Sequence, residues 1–373
     1  MTILVPLEQR FSPARFETPR LLKQLVAAAR PLAELKTIVA SIPNQAILIS
    51  TLGLQEAKDS SAVENIVTTH DELYRHALYP EFAGGSAAKE VAHYSEALWT
   101  GFEHVRQSGL LTNNHILEVQ AVLEKNRAGF RRIPGTALRN SLGETIYTPP
   151  SPEHVPGLMA SLERFINDES IFPADPLVKM ALIHHQFESI HPFYDGNGRS
   201  GRIVNVLYLV KQGLLDIPAL YLSRYIVQRK ADYYRLLQAV RDDDAWEDWV
   251  LYILAAVEQT ARDSVGSIRA IGRLLLEMKR QIRAQYRFYS QDLINNLFRY
   301  PYTKIDFVMQ DLGVSRLTAA RYLDRLAEGG ILHKRKTGRV NYYINLPLCR
   351  ILAAISGEDA SRHEADGREQ TTQ

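Results

Sequence analysis

The chain has 373 residues, 46% hydrophobic and 23% charged, a length that supports two or three domains around a sizeable core. Its formal net charge of +2 is too small to imply a nucleic acid or a membrane surface as partner for the whole molecule, so any basic footprint must be local. One cysteine, Cys349, rules out an internal disulfide and fits a reducing cytoplasm.

Near the start, Glu8 and Arg10 stand where a secretory leader would need an apolar run, so no leader is expected. Apolar residues recur at helical spacing through most of the chain and few segments alternate with a period of two, so the predicted class is mainly α. Residues 1–105 read as an N-terminal helical region. Helices are predicted through 31–36, 175–190 and 245–261. The pattern breaks between 131 and 150. Arg131-Arg132-Ile133-Pro134-Gly135-Thr136, then Asn140-Ser141-Leu142-Gly143-Glu144 and Tyr147-Thr148-Pro149-Pro150, carry the turn residues of a short hairpin ended by prolines. The most apolar run, from Ile203 to Val210, is too short to span a bilayer and is interrupted by Asn205; it predicts a helix buried on most faces.

The style changes near Phe288. A helix over 303–310, a turn at Asp311-Leu312-Gly313-Val314 and a helix over 315–328 form a helix-turn-helix pattern. Gly329-Gly330 ends that helix, and 331–344 reads as two strands around Thr337-Gly338, so 285–350 is predicted to be a winged helix. Ser315 suits an N-cap, and Arg316, Thr318, Arg321 and Arg325 lie along the helix that follows. With the wing residues His333-Lys334-Arg335-Lys336 and Arg339 they make a local basic patch, in which Arg316, Arg321, Lys334 and Arg335 are candidate contacts to DNA phosphates. Asp306, Asp311, Asp324 and Glu328 dilute that charge, so recruitment of a protein is an equally open role. The charged, aperiodic segment 357–373 is expected to be disordered.

The chemistry concentrates in His191-Pro192-Phe193-Tyr194-Asp195-Gly196-Asn197-Gly198-Arg199-Ser200-Gly201-Arg202. Gly196 and Gly198 permit backbone angles and close approaches that side chains forbid. A helix starting near Gly198 would aim its first N–H groups and its dipole into the loop, which favours an anion there. Arg199 and Arg202, three apart, share a face of that helix and complete a cradle for phosphate oxygens. Asp195 offers an oxygen ligand suited to Mg²⁺. His191, at the end of the preceding helix, can take a proton near neutral pH. Charge neutralisation, positioning and a base are the parts that phosphoryl-type transfer needs, and the Walker A pattern is missing. His184, His185 and Glu188 lie just upstream, but adjacent helical residues point about 100° apart, so the His pair reads as structural rather than as metal ligands.

This segment matches the signature of the Fic (filamentation induced by cAMP) family, His-x-Phe-x-(Asp/Glu)-Gly-Asn-Gly-Arg-x-x-Arg, at every fixed position. The resemblance implies a Fic-type helical bundle core over 106–268 that moves AMP from ATP to a Tyr, Thr or Ser hydroxyl of a target protein. In that reading His191 is the general base and Asp195 binds Mg²⁺ between the α- and β-phosphates. Gly196, Asn197 and Gly198 hold the phosphates, with Arg199 on the β and Arg202 on the γ side, and Phe193 anchors the loop. Residues 18–69 look like the N-terminal region common to Fic proteins of this size. The hairpin is similar to the family's flap, which pairs with the target backbone, so Arg139, Asn140, Glu144 and Tyr147 become docking residues. Tyr225, Tyr233 and Tyr234 fall where the family places residues around the adenosine, although Arg229 stands where many relatives have Asn. Amphipathic packing is the other reading of these tyrosines.

Ser60-Ser61-Ala62-Val63-Glu64-Asn65 matches the family's inhibitory pattern, (Ser/Thr)-x-x-x-Glu-(Gly/Asn). On a helix Ser60 and Glu64 share a face, and Glu64 can form a bidentate pair with an arginine. If that arginine is Arg202, ATP loses its γ-phosphate ligand. The same carboxylate could activate water, which makes removal of AMP a second activity implied by the family. Two other functions stay open, namely transfer of a different nucleotide or a phosphate, and a DNA-binding regulator whose Fic domain only senses nucleotide. A cytoplasmic homodimer suits this family layout.

Overall fold

The computed structural model describes residues 4–42, 45–69, 72–73, 86–139, 142–337 and 340–356. Asn140 of the expected flap, Gly338 and Arg339 of the expected wing, and the tail 357–373 lie outside the described residues. The chain divides into two units.

The first unit takes residues 1–36, 56–67 and 90–262. Its helices come from α1 (Pro19–Ser41), α2 (Gln45–Val63), α3 (Ser86–Ser108), α4 (Asn113–Glu124), α5 (Val155–Asn167), α6 (Pro176–Ile190), α7 (Asn197–Lys211), α8 (Ser223–Gln228), α9 (Lys230–Asp243) and the first part of α10 (Trp246–Gln285). The centre is α6 packed on α7, with α5 against α6 and α4 against α7. Every residue of α6 from Leu177 to Ile190 is buried, so this helix has no polar face to water. Residues 203–209 of α7 are buried too, as their apolar run predicts. Asp175 caps α6 by accepting from the Leu177 N–H at 2.8 Å. Helix α3 crosses so close to α7 that a Cβ on Gly101 would lie 2.5 Å from Leu207 Cδ1, so any side chain there would have to push Leu207 aside. The hairpin is present as β1 (Leu138–Arg139) and β2 (Thr145–Tyr147), antiparallel with a register shift between Leu138 and Arg139.

The second unit takes residues 37–55, 68–89 and 263–373. Helix α10 does not stop at 261; Val265, Ile268, Ile271, Leu275, Met278 and Ile282 keep the helical spacing and are buried, so it runs on to Gln285. Then come α11 (Gln291–Arg299), β3 (Tyr302–Thr303), α12 (Ile305–Leu312), α13 (Arg316–Glu328), β4 (His333–Thr337), β5 (Val340–Ile344) and α14 (Leu346–Ser356). The sheet order is β3-β5-β4, all antiparallel. Gly313, at φ 64°, ends α12, and Ser315 accepts from the Thr318 N–H to start α13. A helix-turn-helix followed by a hairpin is therefore present. One boundary differs from the expected helix over 303–310. Thr303 pairs with Tyr343 of β5, and its hydroxyl donates to Asn296 Oδ1 at 2.6 Å, so tertiary pairing holds this β-branched residue in a strand.

Candidate active site

The site is built at the turn from α6 to α7. His191 ends α6 in the left-handed region, φ 50°, while its N–H still reaches the Phe187 carbonyl at 2.9 Å. Pro192 follows and cannot continue the helix. Asn197 closes the loop at two points: its Oδ1 accepts from the Phe193 N–H at 2.8 Å and its Nδ2 donates to the Phe193 carbonyl at 2.9 Å. Phe193 is fully buried between Phe130 and Phe187, so the loop hangs from the core by its ring. Gly196, at φ 76°, precedes α7, whose first N–H groups have no partner within the helix.

Both arginines lie buried under this loop, each against carboxylates. Arg202 donates from Nε to Ser60 Oγ at 2.8 Å, and from Nη2 to the Ser60 carbonyl at 2.8 Å and to Glu64 Oε1 at 2.9 Å. The expected bidentate pair is not formed. One oxygen of Glu64 is used, because Ser60 occupies the rest of the guanidinium edge. Arg199 pairs with Glu124 at 2.9 Å and with Glu90 at 3.2 Å, partners from α4 and α3 that no local motif announces. The glycines make room for these acids: a Cβ on Gly196 would sit 2.3 Å from Glu124 Oε1, and one on Gly198 2.3 Å from Glu64 Oε1.

Asp195 is exposed, and its Oδ1 accepts from the Gly196 N–H at 2.7 Å. The His191 imidazole is pushed down to about 4, first by burial, then by the Arg131 and Arg241 guanidinium groups, so it is neutral over the physiological range. Behind it, burial pushes the Glu188 carboxyl up to about 7, and its Oε1 makes no hydrogen bond among the described residues. His184 and His185 are buried and diverge. His184 Nε2 lies 2.9 Å from the Tyr233 hydroxyl, and His185 Nε2 lies 3.2 Å from the Leu237 carbonyl. Among the described residues no group of three or more His, Cys, Asp or Glu side chains could hold a metal by itself.

The remaining expected site residues are spread around this centre. Tyr147 of the hairpin donates to the Ser189 carbonyl at 2.8 Å, and the Arg241 guanidinium lies 3.7 Å from its ring centroid. Arg139 donates to the Gly143 carbonyl at 2.7 Å and Glu144 sits exposed between the strands. Of the three tyrosines, Tyr233 is 2% exposed and Tyr225 9%; Tyr234, at 41%, presents a ring to solvent. In the second unit Arg316 is paired with Asp306 at 2.5 Å and Lys334 with Asp324 at 2.6 Å, so both of these candidate DNA contacts stand beside a carboxylate. Arg321 and Arg335 lie on α13 and β4.

Family sequence models match this chain in three consecutive stretches. They are the N-terminal region of the Fic/DOC family at residues 22–103, the Fic/DOC family itself at 110–209, and the C-terminal domain of SoFic-like protein adenylyltransferases at 274–348. A probable protein adenylyltransferase of Aquifex aeolicus is 39% identical over 177 residues, 46% of this chain and 52% of that one. The protein adenylyltransferase fic-1 of Caenorhabditis briggsae is 27% identical over 168 residues, 43% of this chain and 31% of that one. The chain thus spans about half the length, or less, of these curated relatives. Among solved structures, a Fic family protein from Desulfovibrio desulfuricans G20 shares the fold with a TM-score of 0.57 and 23% identity, over 90% of this chain and 98% of that one. Residues 134–508 of Fic-1 from Caenorhabditis elegans share it with a TM-score of 0.52 and 22% identity, over 66% and 72%. Among the described residues no helix is long and apolar enough to cross a membrane. With the motif, its loop geometry and three family matches in chain order all in agreement, the chain belongs to the Fic/DOC family.

Proposed function

We propose that this chain transfers the AMP moiety of ATP to a Tyr, Thr or Ser hydroxyl of a target protein. The observation that carries the reading is the grouping of a neutral His191, an exposed Asp195 and two buried arginines around one glycine loop. The target hydroxyl oxygen attacks the α-phosphorus while the His191 imidazole accepts its proton. The bond from the α-phosphorus to the bridging oxygen breaks, and pyrophosphate leaves. The N–H groups at the start of α7, with Arg199 and Arg202, hold the β- and γ-phosphates and take up the charge that grows on the leaving group. The Asp195 carboxylate, with one oxygen held by the Gly196 N–H and open to solvent, fits Mg²⁺, which commonly takes one or two carboxylates besides substrate phosphates and water. Bound there, the ion would neutralise phosphate charge.

In the resting arrangement Glu64 competes with ATP for Arg202, so the chain restrains itself. The hairpin that ends in Tyr147 offers its edge to the target backbone next to His191. The test is the mass of Glu64→Gly protein and its targets after incubation with Mg·ATP. A gain of one adenylyl group per modified residue, matched by pyrophosphate release, supports the reading. A gain of one phosphate with release of ADP replaces it with phosphotransfer.

A further inference from the structure

Arg131, just before the hairpin, is 2% exposed and faces no carboxylate within ion-pair distance among the described residues; its guanidinium is spent on carbonyl oxygens. Nε donates to the His191 carbonyl at 2.8 Å. Nη2 donates to the Ile190 carbonyl at 3.3 Å and to the Pro150 carbonyl. Its own backbone N–H donates to the Pro192 carbonyl at 2.8 Å. One side chain therefore ties the residue before the base, the base itself and the end of the hairpin segment together. His191 occupies the left-handed region, which non-glycine residues adopt only when their surroundings hold them there. A carbonyl anchored at 2.8 Å by a planar, always charged donor is such a hold.

We propose that Arg131 is the positioning residue for the His191 base, a role that rests on the AMP-transfer reading above. Its fork fixes the backbone on which the imidazole stands, and it couples that backbone to the hairpin that receives the target. After burial, which is the larger cause, its charge helps to keep the imidazole in its proton-accepting form. The charges facing His191 come from three elements: Arg131 ahead of the hairpin, Arg241 on α9, and Glu64 just beyond α2, which pulls the other way. Lysine at 131 would keep the charge but lose the planar fork; glutamine would keep a donor but lose the charge.

The test places Arg131→Lys and Arg131→Gln in the Glu64→Gly background. ATP-binding stoichiometry and thermal melting count the folded, loaded fraction. Per loaded molecule, kcat falls in both variants by about 10²-fold, the loss expected of a base displaced by about 1 Å, while KM for ATP stays within about twofold. NMR titration of the His191 ring separates the two contributions: its midpoint rises toward the ordinary histidine value in Arg131→Gln and stays in Arg131→Lys. A merely structural arginine would lower the loaded fraction and move neither kcat per loaded molecule nor the midpoint, and that outcome overturns the proposal. If the Glu64→Gly parent transfers no AMP, the functional reading fails by itself. The His191 titration then still decides: an unmoved midpoint in Arg131→Gln sinks the role of Arg131, and a raised one supports it.

Discussion

Glu64 meets Arg202 through one carboxylate oxygen, 2.9 Å from Nη2, while Ser60 fills the rest of the guanidinium edge with its hydroxyl and its carbonyl. The restraint is thus divided between an ionic contact and a neutral one. Hydrogen bonds to charged groups contribute ~1.5–3 kcal/mol, and the low end applies here because the Glu64 side chain is 35% exposed. Glu64→Gly should therefore tighten ATP binding about tenfold, measured by calorimetry. Ser60→Ala, which removes one neutral acceptor and leaves the carbonyl, should tighten it by less.

Gly198 and Glu64 share one space. A Cβ on Gly198 would lie 2.3 Å from Glu64 Oε1 and 3.1 Å from Arg202 Nη1. Gly198→Ala should destabilise the chain by forcing Glu64 aside, and should do so less when Glu64 is already glycine. A denaturant double-mutant cycle should return a coupling of about 1 kcal/mol, within the range of ~0.5–3 kcal/mol for residues in contact. Simple additivity would mean that Glu64 does not occupy the loop in solution.

The pH dependence of transfer follows from His191. Burial, Arg131 and Arg241 push its imidazole down to about 4 from the usual 6.5, so the base is already deprotonated at pH 5. The rate of the Glu64→Gly protein should show its acidic limb well below pH 6.5. Arg241→Gln removes one of the charges that depress the imidazole and should move that limb upward. A limb that stays at 6.5 in both proteins would contradict the burial of the base.

Stability carries its own pH signature in Glu56. It is 1% exposed, accepts from the Tyr94 hydroxyl at 3.1 Å and from Ser223, and burial pushes its carboxyl up to about 8 from 4.5. The folded chain then binds a proton that the unfolded chain has lost between these values. The contribution is fully present below pH 4.5, declines as pH rises through the window, and is gone above about 8. Glu56→Gln should flatten the fall in melting temperature between pH 5 and pH 8.

The parts of the site that were legible in the sequence were local ones. Within 191–202 the glycines and the Asn197 side chain, paired with both backbone groups of Phe193, set the geometry over a few residues, so their types predict the loop. Ser60 and Glu64 were legible through their likeness to the family's inhibitory pattern, and Glu64 stands in the turn just after α2 rather than on the expected helical face. Arg202's partner had to come from resemblance, since it lies 138 residues away. Glu124, Glu90 and Arg131 were missed because nothing near them in the chain differs from an ordinary surface residue; only the crossing of α3, α4 and the hairpin segment over the α6–α7 turn gives them a role. The tyrosines show the converse. Tyr233 was singled out by resemblance as an adenosine-side residue, with packing as the other reading; its hydroxyl lies 2.9 Å from His184 Nε2 and its ring packs 5.7 Å from Trp249, features that no local pattern shows. Among the described residues of the second unit, the Ser315 cap and the Gly313 turn were readable, whereas the strand at Thr303 depended on its partner Tyr343.

The most direct measurement compares α- and γ-labelled ATP, with Mg²⁺, on wild type, Glu64→Gly and Glu64→Gly with His191→Ala. The account predicts covalent label from α-labelled ATP alone, stronger in Glu64→Gly than in wild type and absent from the double variant. Label from γ-labelled ATP, or α-label that survives loss of His191 undiminished, would contradict AMP transfer by this base.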